Sequence, residues 1–307
     1  MHIILTELGF EPYIVATNKI NANVSFLKST TNLVEIQNFS YINETQYEIL
    51  IVNSDQTWRK WDEFFYDCGF LKFAQNWNKI KFVYGASLGF DYWNFDETDE
   101  NIIRSLIYNF TEISVREIGS IKLIEQHFGI TPKLVLDPTL IIDKRHYLNL
   151  IKDYKINNTY NNNYIFVYYV QRKKNEMKTF VEKASKELNL KIFDFQLNNN
   201  SLVEDFLFYI KNSKSVISNS LHCTIFSIIF KKPFIAFNFN FTGSERLKSL
   251  SELLGFQERI IDINQNPNIN LLNTPLKINH KTFTKMKGES IDFIKRNLKL
   301  YMKNFFS

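Results

Sequence analysis

The sequence is poor in the residues and patterns that mark several large protein classes. It has only two cysteines, Cys68 and Cys223, which lie far apart and lack the spacing of metal ligands. Neither a disulfide framework nor a zinc site is therefore indicated. No apolar run approaches the roughly 20 residues that span a bilayer, and the first residues have neither the basic flank nor the long apolar region of a signal peptide. We expect a cytoplasmic protein with free thiols.

Motifs for the common nucleotide cofactors are also missing. The sequence has no G-x-G-x-x-G fingerprint and no P-loop, which disfavours the usual NAD and ATP chemistry. Its net charge is +5, spread along 307 residues without a dense basic stripe, so we expect no nucleic-acid partner. A mild positive charge suits an anionic ligand, or peripheral attachment to the inner, anionic face of a membrane. We expect neither a metal ion nor a bound cofactor.

What the sequence does have is a regular alternation of short apolar runs and amphipathic segments. In the first half, it predicts strands at 48–53, 81–84, 112–115 and 133–136, and helices at 98–109 and 118–128. After an Asn-rich connection the alternation restarts, with strands at 164–170, 191–195, 215–217 and 234–237 between further helices. Such alternation is typical of doubly wound parallel sheets.

The predicted architecture is α/β, with two Rossmann-like domains facing across a cleft. We assign 1–145 to an N-terminal domain, 146–163 to a linker and 164–280 to a C-terminal domain. The last segment, 281–307, carries apolar residues at spacings of three and four. This spacing predicts a helix, which we expect to pack back on the N-terminal domain.

The stretch from 215 to 240 is the most informative part of the chain. A short strand is followed by Ser218-Asn219-Ser220 and then by an apolar helix with His222 in its first turn. In open α/β sheets, ligands bind at the carboxyl ends of strands, where free amides of helix N-termini favour anions. An imidazole there can bind a phosphate or carry a proton, although a packed or solvated histidine is the commoner case.

Polar groups follow three other predicted strands, so an aspartate, an arginine and a histidine could meet at one edge of the cleft. The segments are Ser54-Asp55-Gln56, Tyr84 with Ser87, and Arg116-Glu117. Each also has a purely structural interpretation. Asp55 could cap the turn after its strand, Ser87 could cap a loop, and Arg116 could simply pair with Glu117 or a surface carboxylate.

Four further residues have competing interpretations. Arg246 opens a predicted helix and could be solvated there. Asp137 precedes Pro138, which favours a turn residue over a catalyst. Trp58 and Trp61 are expected in the core rather than as a platform for a sugar.

Six segments together resemble the polysaccharide pyruvyl transferase family. The resemblance runs from about residue 48 to about residue 259. The segments are VNSDQTWR (52–59), YGASLG (84–89), ISVRE with Gly119-Ser120 (113–120), LVLDPTLIID (134–143), SNSLHCTIFSIIFKKPFIAFN (218–238) and GSERLKSLSELLGF (243–256).

The resemblance implies a GT-B-like fold and transfer of a pyruvyl group from phosphoenolpyruvate to a sugar of a cell-surface polysaccharide precursor, forming a pyruvate ketal. It also implies that Asp55, Arg116 and His222 are the catalytic residues. The N-terminal domain would bind the acceptor, a saccharide or lipid-linked saccharide, and the C-terminal domain the donor. We assign substrate binding to polar residues of the same loops: Ser54, Gln56, Ser87, Ser218, Asn219, Ser220, Thr224 and Arg246.

The sequence departs from the family pattern in three places. Many members begin with a strand and an N-Y-G-type loop, so we expect the N-terminal domain here to lack its first strand. Ser220 stands where some members have arginine, and Cys223 where glycine is frequent. Two alternatives therefore stay open: a GT-B-type glycosyltransferase that uses a nucleotide sugar, and a truncated relative without catalysis. The sequence indicates neither the acceptor sugar nor the oligomeric state.

Overall fold

The computed structural model describes residues 1–17, 31–60, 64–154, 162–170, 174–196, 202–239, 244–262, 265 and 267–305. The described strands are β1 Tyr13–Thr17, β2 Asn32–Ile36, β3 Ile49–Val52, β4 Ile80–Ala86, β5 Glu112–Val115, β6 Lys133–Leu134, β7 Tyr164–Tyr168, β8 Lys191–Phe195, β9 Ser215–Ser218, β10 Phe234–Asn238 and β11 Ile260–Asp262. The described α-helices are α1 His2–Glu7, α2 Phe65–Phe70, α3 Glu97–Ile107, α4 Ile118–Phe128, α5 Pro138–Ile141, α6 Lys144–Leu150, α7 Lys174–Leu188, α8 Val203–Asn212, α9 Leu221–Ile229, α10 Ser244–Leu254 and α11 His280–Phe305.

The first half forms a four-stranded parallel sheet with the order β3-β4-β5-β6. The register pairs Ile49 with Ile80, and Phe82 with Glu112. Strand β4 is buried along almost its whole length, as expected for a parallel sheet covered on both faces. All four strands point the same way, so their carboxyl ends lie along one edge. Strands β1 and β2 form a separate parallel pair.

The second half forms a five-stranded parallel sheet with the order β11-β10-β9-β7-β8. Numbered from β7, this is the 2-1-3-4-5 order of flavodoxin-like folds, in which the switch point lies between the first and third strands. Here that point is the carboxyl end of the β7–β9 pair, where Tyr168 is opposite Ser218. The loop that leads to His222 begins at this position.

Local sequence explains where the helices near the cleft begin and end. Helix α9 starts after Ser220, whose Oγ accepts a hydrogen bond from the backbone N–H of Cys223 at 3.4 Å, a usual N-cap arrangement. Helix α4 ends at Gly129, which has a φ of 67°. A left-handed residue at this place is the common C-terminal signal that glycine provides. Helix α5 begins after Asp137, which is its N-cap residue.

The terminal helix α11 lies against the first sheet. The Phe293 ring centroid is 6.1 Å from that of Phe82, and Ser290 Oγ accepts from the backbone N–H of Leu136 at 2.9 Å. Arg296 donates to both carboxylate oxygens of Glu112, at 2.9 and 2.8 Å. The predicted fold class, two Rossmann-like domains with parallel sheets, is confirmed. The limits given above for the domains and linker remain predictions.

The structure differs from the expected elements in a few places. The Asn-rich connection, within which we assigned the linker, opens with helix α6, because Asp143 Oδ1 accepts from Arg145 N at 2.8 Å and caps the helix. Strands β2 and β11 were not predicted, since both are short and mix polar with apolar residues. Trp61 lies outside the described residues, as does Ser201, which the sequence predicts as the cap of the helix that follows it. Among the helices of the described residues, none is long and apolar enough to span a bilayer.

Candidate active site

The carboxyl ends of all four strands of the first sheet contribute to one cluster of polar residues. Asp55 follows β3, Ser87 follows β4, Arg116 follows β5 and Asp137 follows β6. Parallel strands in consecutive order bring these positions together, although they are far apart in the chain. The second domain brings His222, the second residue of α9, to the same cluster.

Arg116 lies at the centre of the cluster and is buried. Its Nη2 donates to Asp55 Oδ1 at 2.7 Å, its Nε to Glu117 Oε1 at 3.1 Å, and its Nη1 to an oxygen of Asp137. Burial works to lower the pKa of Arg116, but the three carboxylates outweigh it and raise the pKa. The guanidinium therefore stays positively charged and is fixed by ion pairs with three carboxylates. Pairing with Glu117 is part of its role and not the whole of it.

Asp137 has a larger role than the turn residue that the sequence suggested. It does cap α5, accepting from Thr139 N at 3.0 Å, but its carboxylate is also buried and paired with Arg116. Its Oδ2 lies 4.0 Å from His222 Nε2. Burial works to raise the pKa of Asp137, yet the charges of Arg116 and His222 hold it at about 2. The sequence did contain a signal that Asp137 belongs to the site, because Asp137 follows a predicted strand just as Asp55 and Arg116 do.

Asp55 links the cluster to Arg246 of the second domain. Its Oδ1 accepts from Arg116 and also lies 3.4 Å from Arg246 Nη1, while its own side chain remains 58% exposed. Partial loss of solvent around the carboxylate works to raise the pKa of Asp55, but the nearby charges of Arg116, His222 and Arg246 bring it below the ordinary value. The Arg246 side chain is only 18% exposed, so the alternative of a solvated arginine at a helix start is wrong.

Glu117 is a second buried carboxyl group that sequence reasoning treated only as an ion-pair partner. Its side chain is 2% exposed and contacts Arg116 and Ser120, whose Oγ lies 3.3 Å from Glu117 Oε2. Burial raises its pKa, although the charge of Arg116 opposes the shift. The cluster thus contains carboxyl groups whose pKa values are moved in opposite directions, a pattern that is typical of acid–base sites.

The polar residues before α9 mainly hold their own loop. Ser218 Oγ donates to Tyr168 O at 2.7 Å, and Asn219 exchanges two hydrogen bonds with the backbone of Val170, at 2.7 and 3.0 Å. Thr224 Oγ1 donates to Ser220 O at 3.1 Å. In the structure these four predicted substrate-binding residues therefore support the loop and the first turn of α9. The His222 side chain, 40% exposed, projects from the first turn of α9 towards Asp137.

The remaining predicted residues lie along the two loops at the edge of the first sheet. Ser54 Oγ donates to Gly85 O at 2.9 Å, and Gln56 Oε1 accepts from Arg59 Nη1 at 2.8 Å. Ser87 Oγ accepts from Gly89 N at 3.2 Å, so the expected loop cap is confirmed.

Trp58 belongs to the core, as expected, since it is 1% exposed and its Nε1 donates to Gly69 O at 2.7 Å.

A small cavity of about 20 Å³ lies between the two domains, room for roughly one water molecule. Its polar lining consists of Arg116, Glu117, Asp137 and Arg246, and its apolar lining includes Leu221 at the start of α9. Within the described part of the chain, no group of three or more His, Cys, Asp or Glu side chains is arranged to hold a metal ion. The arrangement suits the binding of an anion and the transfer of protons.

Comparison with known proteins gives this arrangement a family. The family model for polysaccharide pyruvyl transferases matches residues 4–240. The chain belongs to the polysaccharide pyruvyl transferase family. The match includes the strand-end residues of the first sheet and His222, whereas Arg246 lies beyond it. No curated protein matches the chain.

A solved structure supports the fold of this pyruvyl transferase family member. It is a crystal structure from Listeria monocytogenes, described as a UDP-N-acetylglucosamine 2-epimerase. The two chains superpose with a TM-score of 0.62 at 14% sequence identity, over 98% of this chain and 91% of the other. At that identity the likeness concerns the fold alone, and it agrees with the GT-B-like arrangement of two Rossmann-like domains.

Proposed function

We propose that this family member transfers a pyruvyl group from phosphoenolpyruvate to a sugar of a cell-surface polysaccharide precursor and forms a pyruvate ketal. The family indicates a polysaccharide acceptor. The observation that carries the donor assignment is the convergence of Arg116, Arg246 and His222 from both domains around one exposed carboxylate, that of Asp55. We further propose that the reaction needs no bound cofactor or metal and takes place in the cytoplasm on a saccharide or lipid-linked saccharide.

The donor is a small anion with one carboxylate and one phosphate group. The guanidinium groups of arginines and backbone N–H groups bind both kinds of anion well. In the structure, Arg116 and Arg246 both face Asp55 Oδ1. In our proposal an anionic group of the donor takes the place of this carboxylate. The N-terminus of α9 and His222 then face the donor from the second domain, where helix amides favour anions.

The chemistry requires two carbon–oxygen bonds to form at C2 of the donor and one to break. One acceptor hydroxyl adds to C2 while C3 gains a proton and becomes a methyl group. A second hydroxyl then adds to C2, and the bond from C2 to the phosphate oxygen breaks. Of the two hydroxyl protons, one is balanced by the proton that C3 gains and the other leaves with the hydrogen phosphate. We assign protonation of the donor or its phosphate to His222.

We assign removal of a hydroxyl proton to Asp55. While Arg116 and Arg246 contact it, its low pKa makes it a poor base. Displacement by the donor would return the pKa of Asp55 towards its ordinary value, because the two arginines would then neutralise the donor. The base would thus become effective only when the donor is bound. A positioned acid or base is typically worth ~10²–10⁴-fold in rate.

The decisive experiment is calorimetric titration of the purified protein with phosphoenolpyruvate and, separately, with a panel of UDP-sugars. We expect saturable binding of phosphoenolpyruvate that is weakened at least tenfold in Arg116→Met and in His222→Gln. Arg104→Met is the matched control, because Arg104 is ion-paired to Glu100 on the same domain but away from the cluster.

Circular dichroism should show that the variants remain folded. If Arg116→Met unfolds, His222→Gln still provides the test. The His222 side chain is partly exposed, so we expect its replacement to leave the protein folded. Binding of a UDP-sugar in place of phosphoenolpyruvate would overturn the proposal in favour of a glycosyltransferase. Binding of neither ligand would also overturn it and would favour a relative without catalysis.

A further inference from the structure

An aromatic patch lies on the first domain beside the loop that follows β4. We define it by Arg59, Phe90, Tyr92 and Trp93, which line one shallow depression. The Phe90 and Tyr92 ring centroids are 5.1 Å apart, and Tyr92 is 55% exposed. Exposed aromatic surface in a well-packed domain commonly marks a binding site.

Contacts with neighbouring residues hold the patch in place. The Arg59 guanidinium lies 5.3 Å from the Phe90 ring centroid, and its Nη1 donates to Gln56 Oε1 at 2.8 Å. Its side chain passes directly over Gly89, where an added Cβ would lie 3.0 Å from Arg59 Cδ. Gly89 also has a φ of 78°, a conformation that disfavours other residues. Both requirements favour glycine at the position that supports the arginine.

Trp93 completes the patch. It stacks on the His127 ring with the centroids 3.9 Å apart. Its indole Nε1 has no hydrogen-bond partner within the described part of the chain. Stacking therefore holds the Trp93 ring in place, so that a ligand would bind it at little cost in side-chain ordering.

Two hydrogen-bonded loops connect the patch to the cluster that contains Asp55. Ser87 N donates to Asp55 O at 3.0 Å, and Trp58 N donates to Ser87 O at 3.2 Å. The loop after β3 and the loop after β4 thus run side by side, one from Asp55 to Arg59 and the other from Ser87 to Phe90. A ligand that reaches Asp55 from the first domain can extend along these loops onto the patch.

We propose that the aromatic patch binds a pyranose ring of the acceptor saccharide, next to the sugar that receives the pyruvyl group. The faces of a pyranose carry C–H groups and pack against aromatic rings, while its hydroxyl groups lie around the rim. A mainly apolar site with a few fixed polar groups is the usual design for such ligands. The polar groups of this site are the side chains of Arg59 and Gln56, which are hydrogen-bonded to each other at its edge. This inference rests on the proposed function, which supplies the saccharide.

The test uses the full chain, a glycan array of hexose and N-acetylhexosamine oligosaccharides, and calorimetry with phosphoenolpyruvate. The variant is Phe90→Ala combined with Tyr92→Ala, and Arg59→Met is examined separately. Tyr41→Ala is the matched control, because Tyr41 is also a highly exposed tyrosine, at 69%, and does not line the patch.

We expect the wild-type protein to bind at least one glycan and the double variant to bind it at least tenfold more weakly. The Tyr41→Ala control and the affinity for phosphoenolpyruvate should both be unchanged. Glycan binding that survives in the double variant, or no glycan binding by the wild type, would overturn the inference.

The proposed function can fail separately. If phosphoenolpyruvate does not bind but glycan binding depends on the patch, the donor assignment is wrong and the saccharide site stands.

Discussion

Replacing Asp137 by asparagine should lower the stability of the protein in a way that depends on pH. Asn keeps the size of the side chain and an oxygen that can accept from Thr139 N, the contact that caps α5. It removes the buried negative charge that pairs with Arg116 and faces His222 at 4.0 Å. The substitution therefore isolates the charge from the capping role.

The magnitude follows from the pKa of the carboxyl group. The folded value of about 2 lies below the ordinary 3.8, and one unit corresponds to about 1.4 kcal/mol, so the charge contributes about 2 kcal/mol near pH 7. Because the folded pKa is the lower one, this contribution is fully present above pH 3.8 and is lost as the pH falls towards 2. The difference in the free energy of unfolding between wild type and variant should therefore narrow as the pH falls from 3.8 towards 2.

Urea unfolding followed by tryptophan fluorescence at pH 7, 5 and 3 measures the gap. Asp143→Asn is the matched control, because Asp143 also caps a helix, through Arg145 N. Its pKa is also about 2, owing to hydrogen bonds with Arg145, but the side chain is exposed and solvent screens its charge. We expect little loss of stability in the control. Equal stability of Asp137→Asn and wild type at pH 7, or a gap that is the same at pH 7 and 3, would refute the reasoning.

Three other substitutions test separate contacts. Asp55→Asn should tighten phosphoenolpyruvate binding at least threefold by calorimetry, because it removes the anion that competes for two arginines. It should nevertheless lower turnover ~10²–10⁴-fold, because it removes the proposed base. Ser290→Ala should cost about 1–3 kcal/mol in urea unfolding, since it leaves the buried N–H of Leu136 without its acceptor. Trp58→Phe should cost a similar ~1–3 kcal/mol in the same assay, because the buried carbonyl of Gly69 loses its donor.

Each of these expectations has a clear contrary outcome. Weaker donor binding in Asp55→Asn would show that the carboxylate assists the donor and does not compete with it. Ser227→Ala is the control for Ser290→Ala, because Ser227 is equally buried and donates to the residue four positions earlier in its helix. Equal stability of those two variants would remove the contact with Leu136 from the argument. If Trp58→Phe is as stable as the wild type, the hydrogen bond from Trp58 to Gly69 O does not contribute to stability as argued.

Local sequence was sufficient for most of the elements that build the cleft. The apolar run at 112–115 and the helical spacing at 118–128 predicted β5 and α4 with their observed limits, because strand and helix periodicity are properties of adjacent residues. The loop before α9 was equally clear, since Ser220 is a preferred N-cap residue. Short mixed strands such as β2 were not predictable, because their pairing with β1 and not their composition makes them strands.

The candidate site was predictable as a set of loops but not as a set of contacts. Asp55, Arg116 and His222 were chosen because each follows a predicted strand, and the structure brings all three into one cluster. Asp137 was assigned only a turn, because Asp-Pro is a common turn sequence and its pairing with Arg116, 21 residues away, leaves no local pattern. The roles of these residues in catalysis remain predictions.

The sequence by itself determined the α/β class, the strand ends at which polar residues lie, and the motifs that place the chain in its family. Only the tertiary structure decided which of those residues form ion pairs with one another. Asp55 and Arg116 are 61 residues apart, and Asp55 and Arg246 are 191 apart. The physical reason is that periodicity reports the burial of neighbouring side chains, whereas an ion pair depends on how the two sheets and the helices between them pack.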